Sequence, residues 1–224
     1  MEEINRIKQV YRERDQAMEP PDKKTMDFRK NMQDERERLY AEILGNHFNH
    51  DFTGLKIMEI GAGTGTNIHF FCRTGFLNAN IFANELSDAR FEILSGHYPG
   101  IQLFKGDASQ LDFVDEFDIV MQSTVFTLIL DHQLKIKLAA KMFEMVKPEG
   151  LILWYDFKYN NPVNSHVKGI NKREIAGLFP VAKKIEFKNV TLAPPIGRKV
   201  GRYYHVINWL FPFLRSHLIA IIHK

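Results

Sequence analysis

The chain has 224 residues, of which 45% are hydrophobic, 12% aromatic and 25% charged; this balance excludes collagen-like, low-complexity and wholly disordered classes. The net charge of +3 conceals an uneven split: residues 1–156 hold 18 Lys and Arg against 25 Asp and Glu, whereas residues 157–224 hold 12 against 2. Any anionic partner is therefore expected at the C-terminal part. A single cysteine, Cys72, permits no internal disulfide and has no zinc-ligand spacing around it, which predicts a cytoplasmic chain without a metal site.

Ile4, Ile7, Val10 and Tyr11 recur at helical spacing until Pro20-Pro21 breaks the pattern, and no apolar stretch there has the length of a signal peptide. A second apolar stripe, Phe28, Met32, Leu39, Tyr40, Ile43 and Leu44, predicts another helix ending near Gly45. Residues 1–50 thus read as a helical extension or lid, and residues 51–224 as the main domain. From Leu55 onward short apolar runs alternate with helical stretches, the pattern of an α/β fold with a parallel sheet. Seven strands are predicted: 55–60, 80–84, 101–105, 117–122, 150–157, 185–192 and 218–222. The clearest helices are 67–73, 89–95, 133–146 and 172–178, the last opened by Asn171 with Glu174 three residues on. The apolar run 203–222 is broken by His205, Asn208, Pro212, Arg215 and Ser216, so it predicts helix, turn and strand and no membrane span.

The segment Leu55-Lys56-Ile57-Met58-Glu59-Ile60-Gly61-Ala62-Gly63-Thr64-Gly65 is a strand running into a glycine turn and a helix start. Glycines allow positive φ and close approach of backbone to a ligand, and the helix start offers free N–H groups. The dinucleotide fingerprint G-x-G-x-x-G needs glycine where Thr66 stands, so the turn points away from NAD. Glu85, 20 residues after Gly65, ends the second strand, where a carboxylate can hold both hydroxyls of a ribose. Asp107 follows the third strand. All three points fall at the carboxyl edge of a parallel sheet, where such sheets bind ligands.

In these residues the chain from about residue 36 onward resembles the class I S-adenosylmethionine-dependent methyltransferases. The resemblance implies a Rossmann-like sheet of seven strands with the last antiparallel, and S-adenosyl-L-methionine as cofactor. It implies cofactor contacts from Glu59, Gly61, Ala62, Gly63, Gly65, Glu85, Leu86, Asp107, Ala108 and Gln122. The first helices would cover the cofactor, with Tyr11, Arg29 and Arg36 as candidate contacts.

After the fourth strand, Met121-Gln122-Ser123-Thr124-Val125-Phe126 lacks the signature for methylating planar nitrogens, which disfavours nucleic acid as partner. After the fifth strand, Trp154-Tyr155-Asp156-Phe157-Lys158-Tyr159-Asn160-Asn161-Pro162 crowds aromatic and polar side chains at the expected acceptor mouth. This segment and Thr191-Leu192-Ala193-Pro194-Pro195 resemble stretches of bacterial methyltransferases of polysaccharide and glycan biosynthesis. The expectation is an oxygen acceptor on a small or glycan-like molecule, with Tyr155, Asn160, Asn161 and Arg198 binding it and Asp156 and His166, then His132, as candidate bases. Lys158, Lys168, Lys199 and Arg202 are expected to favour an anionic acceptor such as a nucleotide-linked or lipid-linked sugar. A non-sugar metabolite and a non-catalytic cofactor-binding protein remain the alternatives. Residues 200–215 mix aromatic and basic side chains, which admits weak peripheral contact with a membrane.

Overall fold

Strands β1 (Ile57–Ile60), β2 (Ile81–Glu85), β3 (Gln102–Lys105), β4 (Phe117–Ser123), β5 (Val146–Phe157), β6 (Lys184–Leu192) and β7 (Arg215–His223) form one sheet in the order β3-β2-β1-β4-β5-β7-β6. The computed structural model describes residues 2–17 and 20–224. Strands β1 to β5 pair parallel, and β7 pairs antiparallel with both β5 and β6. The carboxyl ends of the parallel strands and the beginning of β7 therefore share one edge, where Phe157 stands level with His217.

Helices cover both faces, so the central strands are continuous buried runs. Alternation along each strand divides the core. Met58, Ile60, Val120, Ile152 and Trp154 face one layer, and Ile57, Ile119, Met121, Leu153 and Tyr155 face the other. The intervening helices are α3 (Thr66–Thr74), α4 (Asp88–His97), α5 (His132–Met145) and α6 (Lys172–Leu178). The capping box foreseen at α6 is present: Asn171 accepts from the Glu174 N–H, and Glu174 accepts from the Asn171 N–H.

Two helices precede the sheet. In α1 (Glu2–Gln16), Ile7 and Val10 are buried against Leu128 and Ile129, and the Glu3 carboxylate accepts from the Leu130 N–H. Helix α2 (Lys23–Phe48) opens on Asp22, which caps the Thr25 N–H. It runs past Gly45, where the sequence pattern ended it, and stops at Asn49 in the left-handed region, φ 52°. Gly45 has a packing role: a Cβ there would come within 2.3 Å of the His50 ring. The structure also holds a helix not foreseen, α7 (Pro194–Val200), whose two prolines occupy the first turn, where a missing N–H costs nothing. Helix α8 (Tyr204–Leu210) follows. Among the described residues no helix is long and apolar enough to cross a membrane.

Candidate functional site

The turn after β1 has Gly61, Gly63 and Gly65 at φ of 68°, 61° and 94°, so each needs glycine for its backbone alone. Their surroundings differ. A Cβ on Gly61 would meet Val125 at 2.6 Å and one on Gly65 would meet Tyr98 at 2.4 Å, whereas at Gly63 it would meet nothing within 4 Å. Gly61 and Gly65 are packing positions, and Gly63 borders open space. The Ala62 N–H is spent on the Asn84 carbonyl, which locks the turn to β2.

Glu85, at the end of β2, is buried; one carboxylate oxygen accepts from the Gly63 N–H and the other from the Ser87 N–H, both at 2.7 Å. Each oxygen keeps a second lone pair for a ligand hydroxyl. Asp107 follows β3 and caps a short turn through the Ser109 N–H and hydroxyl, each at 2.9 Å. Gly61, Glu85, Leu86, Asp107 and Ala108 together line a narrow cleft of about 50 Å³, walled on the far side by Ile4, Ile7 and Tyr11 of α1. That space is well below the roughly 300–1,000 Å³ of small-molecule sites, because side chains of α1 close in on it.

Beside the glycine turn three buried polar atoms lack partners: Glu59 Oε2, Arg36 Nε and Tyr40 Oη. The other Glu59 oxygen accepts from Asn67 at 2.6 Å. Burial pushes the Glu59 carboxyl up to about 7, against the Asn67 hydrogen bond and the Arg36 charge, which pull it down. Arg36 makes no ion pair or hydrogen bond among the described residues, and its guanidinium lies 5.0 Å from the centre of the Tyr155 ring. Arg29, the alternative contact, is exposed on α2.

A larger cleft adjoins the first, the two sharing Tyr11 and Leu128. Asn160, Asn161 and Arg198 line it as the sequence suggested; Arg14, Arg90, Thr127 and His217 line it too. Arg90 is paired with Asp15 at 2.7 Å and lies over the Tyr11 ring at 4.1 Å, while Arg14 and Arg198 make no ion pair among the described residues. His217 is stacked on Tyr155, ring centres 5.1 Å apart, with Nδ1 3.0 Å from the Ser216 hydroxyl. Burial, with the Arg36 and Lys158 charges, drives its imidazole down to about 3, so it is neutral near pH 7.

Several expected residues are elsewhere. Asp156 is fully buried beneath the cleft; it accepts from the Thr127 hydroxyl and from Gln122, and burial pushes its carboxyl up to about 7 despite those bonds. Thr127 stands between it and the cleft. Gln122, also buried, accepts from the Val125 N–H and braces the loop against which Gly61 packs. Tyr155 points to the opposite core layer, its hydroxyl 3.1 Å from that of Thr191. His166 is exposed and outside the cleft lining, its loop held by the Asn164 side chain on the His166 N–H. His132 is the first residue of α5, capped by Asp131. Of the basic residues grouped with Arg198, Lys158 is tied to Asn189 and Arg202 to Tyr203.

Residues 57–150 match a family model described as a methyltransferase domain. The sheet order with its antiparallel last strand is that of the class I methyltransferase fold. The chain is similar to a malonyl-[acyl-carrier protein] O-methyltransferase of Calditerrivibrio nitroreducens, 27% identical over 106 residues, 47% of this chain and 39% of that protein. The matched stretch thus spans well under half of the relative. A SAM-dependent methyltransferase of Archaeoglobus fulgidus superposes with a TM-score of 0.59 at 13% identity, covering 84% of this chain and 94% of that one. Phosphoethanolamine N-methyltransferase 2 of Haemonchus contortus, solved with S-adenosyl-L-methionine, gives 0.55 at 17% identity, covering 76% and 48%. The [4+2]-cyclase SpnF gives 0.60 at 12% identity, covering 84% and 80%, so the fold by itself does not select a reaction.

The residues present fit S-adenosyl-L-methionine, the molecule with which the Haemonchus enzyme was solved. Its ammonium and carboxylate would complement the unpartnered Glu59 oxygen and the buried Arg36 guanidinium. Gly63 leaves room for close approach of the backbone, and Glu85 keeps lone pairs for the ribose. Without cofactor, Glu59 holds a proton from its unfolded range near 4.5 up to about 7. The folded state then binds the extra proton, so this contribution to stability is full below pH 4.5 and is lost as pH rises through 7. Cofactor-free wild type is therefore expected to lose unfolding temperature over that interval relative to Glu59→Gln, a difference that paired melting curves at stepped pH measure directly.

Proposed function

We propose that this chain transfers a methyl group from S-adenosyl-L-methionine to an oxygen of a small anionic acceptor, in the cytoplasm. The observation that carries the reading is the cleft beside the nucleoside site, with Arg14 and Arg198 unpaired among the described residues on its wall. Asn160, Asn161 and Tyr159 on the same wall suit an acceptor that also bears sugar hydroxyls, such as a nucleotide sugar. The O-methyltransferase activity of the Calditerrivibrio relative supports oxygen as the acceptor atom.

The bound cofactor supplies a methyl group already activated on a sulfonium, which leaves alignment and proton handling to the protein. Glu59, Arg36 and Glu85 fix the donor, while Arg14 and Arg198 draw the acceptor's anionic group to the cleft wall. His217 is neutral, and in the tautomer whose Nδ1–H donates to the Ser216 hydroxyl its Nε2 is left to accept a hydrogen bond from a hydroxyl acceptor. A carboxylate acceptor needs no base.

Incubation with methyl-labelled cofactor and paired acceptors, each with and without a phosphate or carboxylate, tests the reading. Label is expected to follow the anionic member of each pair, and His217→Phe is expected to slow transfer to hydroxyl acceptors while sparing carboxylates. Cofactor binding without any S-adenosylhomocysteine formed across the panel would leave the non-catalytic alternative standing. Arg198→Glu is expected to raise the acceptor KM about tenfold or more at low salt and to leave the cofactor Kd unchanged, a contrast that shrinks as ionic strength rises.

A further inference from the structure

Helix α8 and the Phe211-Pro212-Phe213 turn after it present Val206, Trp209, Leu210 and Phe213 to solvent, at 52, 76, 51 and 71% exposure. Such exposure is not looseness of the segment. Its inner side is fixed: the buried Tyr204 hydroxyl donates to Glu35 at 2.8 Å, and the Asn208 amide donates to the same carboxylate at 2.6 Å. Arg215 bonds both Asn208 and the Asn189 carbonyl. The apolar side is thus held outward by a polar clamp on the opposite side.

The segment's own charges have one sign. Lys199, Arg202 and His205 are exposed beside the aromatic residues, and from Phe187 to Lys224 the sequence contains no Asp or Glu. Exposed aromatic and aliphatic side chains in a segment whose charges are basic match the boundary of an anionic bilayer, where rings enter the acyl region and bases stay among the headgroups. The preceding helix, α7, bears Arg198 on the acceptor cleft, so the apolar side and the cleft mouth are neighbours in the chain.

We propose that residues 199–213 form a docking surface for anionic phospholipid bilayers, seated by Trp209 and Phe213 and held by Lys199 and Arg202. The surface is independent of the methyl-transfer reading, because binding to lipid requires neither cofactor nor acceptor. The sequence has two tryptophans, and Trp154 is fully buried in the core, so a change in tryptophan emission on adding vesicles reports Trp209.

The test mixes the full chain with vesicles of phosphatidylcholine alone, or of phosphatidylcholine with phosphatidylglycerol, and follows both flotation and emission. Expected are flotation and a blue shift with the phosphatidylglycerol vesicles, and neither with phosphatidylcholine alone. Trp209→Ser with Phe213→Ser should cut the partition coefficient by about tenfold or more, since each ring forfeits a large apolar transfer term. Lys199→Glu with Arg202→Glu should abolish the preference for phosphatidylglycerol. The serine variant alters exposed side chains only, so an unchanged melting temperature checks that it is folded. Absence of flotation with both vesicle types, or equal flotation of wild type and the serine variant, overturns the proposal. So does concentration-dependent dimerisation that the serine variant removes, which would make the surface a contact between copies of the chain.

Discussion

Glu85→Ala is expected to raise the dissociation constant for S-adenosyl-L-methionine about 10- to 100-fold, equivalent to ~1–3 kcal/mol. The side chain does two things at once. Its lone pairs face the nucleoside cleft, and its two oxygens hold the N–H groups of Gly63 and Ser87 at 2.7 Å. Alanine would remove the ribose acceptor and release the glycine turn, so S-adenosylhomocysteine should lose affinity to a similar degree, both ligands sharing the nucleoside. Calorimetric titration with each ligand checks this. An unaltered constant for both would place the nucleoside away from β2 and remove the basis for the cofactor site.

Arg36→Met is expected to move stability and binding in opposite directions. In the cofactor-free protein a guanidinium is buried beside Glu59, which is only partly ionised near pH 7, with Nε unpartnered and the Tyr155 ring close by. An unpaired buried charge is costly, and an unbranched apolar side chain of comparable length relieves that cost, so the variant should gain about 1–3 kcal/mol. Cofactor affinity should fall about 100-fold or more, because a buried charge-assisted contact to the carboxylate is lost. Thermal unfolding and calorimetry on one preparation settle both signs. A lower melting temperature with intact affinity would make Arg36 a packing residue.

The sheet was legible because period-2 and continuous apolar runs report strands directly, and the turn Gly61–Gly65 with Glu85 and Asp107 falls where strand ends must meet. What the sequence hid has particular causes. Pro194-Pro195 reads as a loop breaker, yet two prolines suit the first turn of a helix, and α7 begins there. Asp156 looked like a base because strand alternation gives direction without depth; it points away from Tyr155 and is sealed under Thr127. His166 stands close in sequence to the acceptor loop, but that loop turns on Asn160, Asn161 and Asn164 and leaves it outside. The charge count located cations on residues 157–224, whereas Arg14 and Arg90 enter the acceptor cleft from the acidic part. His217 had a usable signal: a last strand running antiparallel to β5 must begin where β5 ends, and the polar Arg215-Ser216-His217 opens that strand.

Strand β7 is made after β6 yet lies between β5 and β6, and β6 has no other neighbour in the sheet. During synthesis, then, residues 184–192 emerge with no ladder to join and must wait as an unpaired ribbon until 215–223 slot in beside β5. Such long-range closure is slow and leaves strand edges open to wrong pairing in the meantime. His217 and Ser216 sit on that final insert, so the floor of the acceptor cleft is among the last parts of the molecule to take shape, well after the nucleoside cradle on β1 and β2.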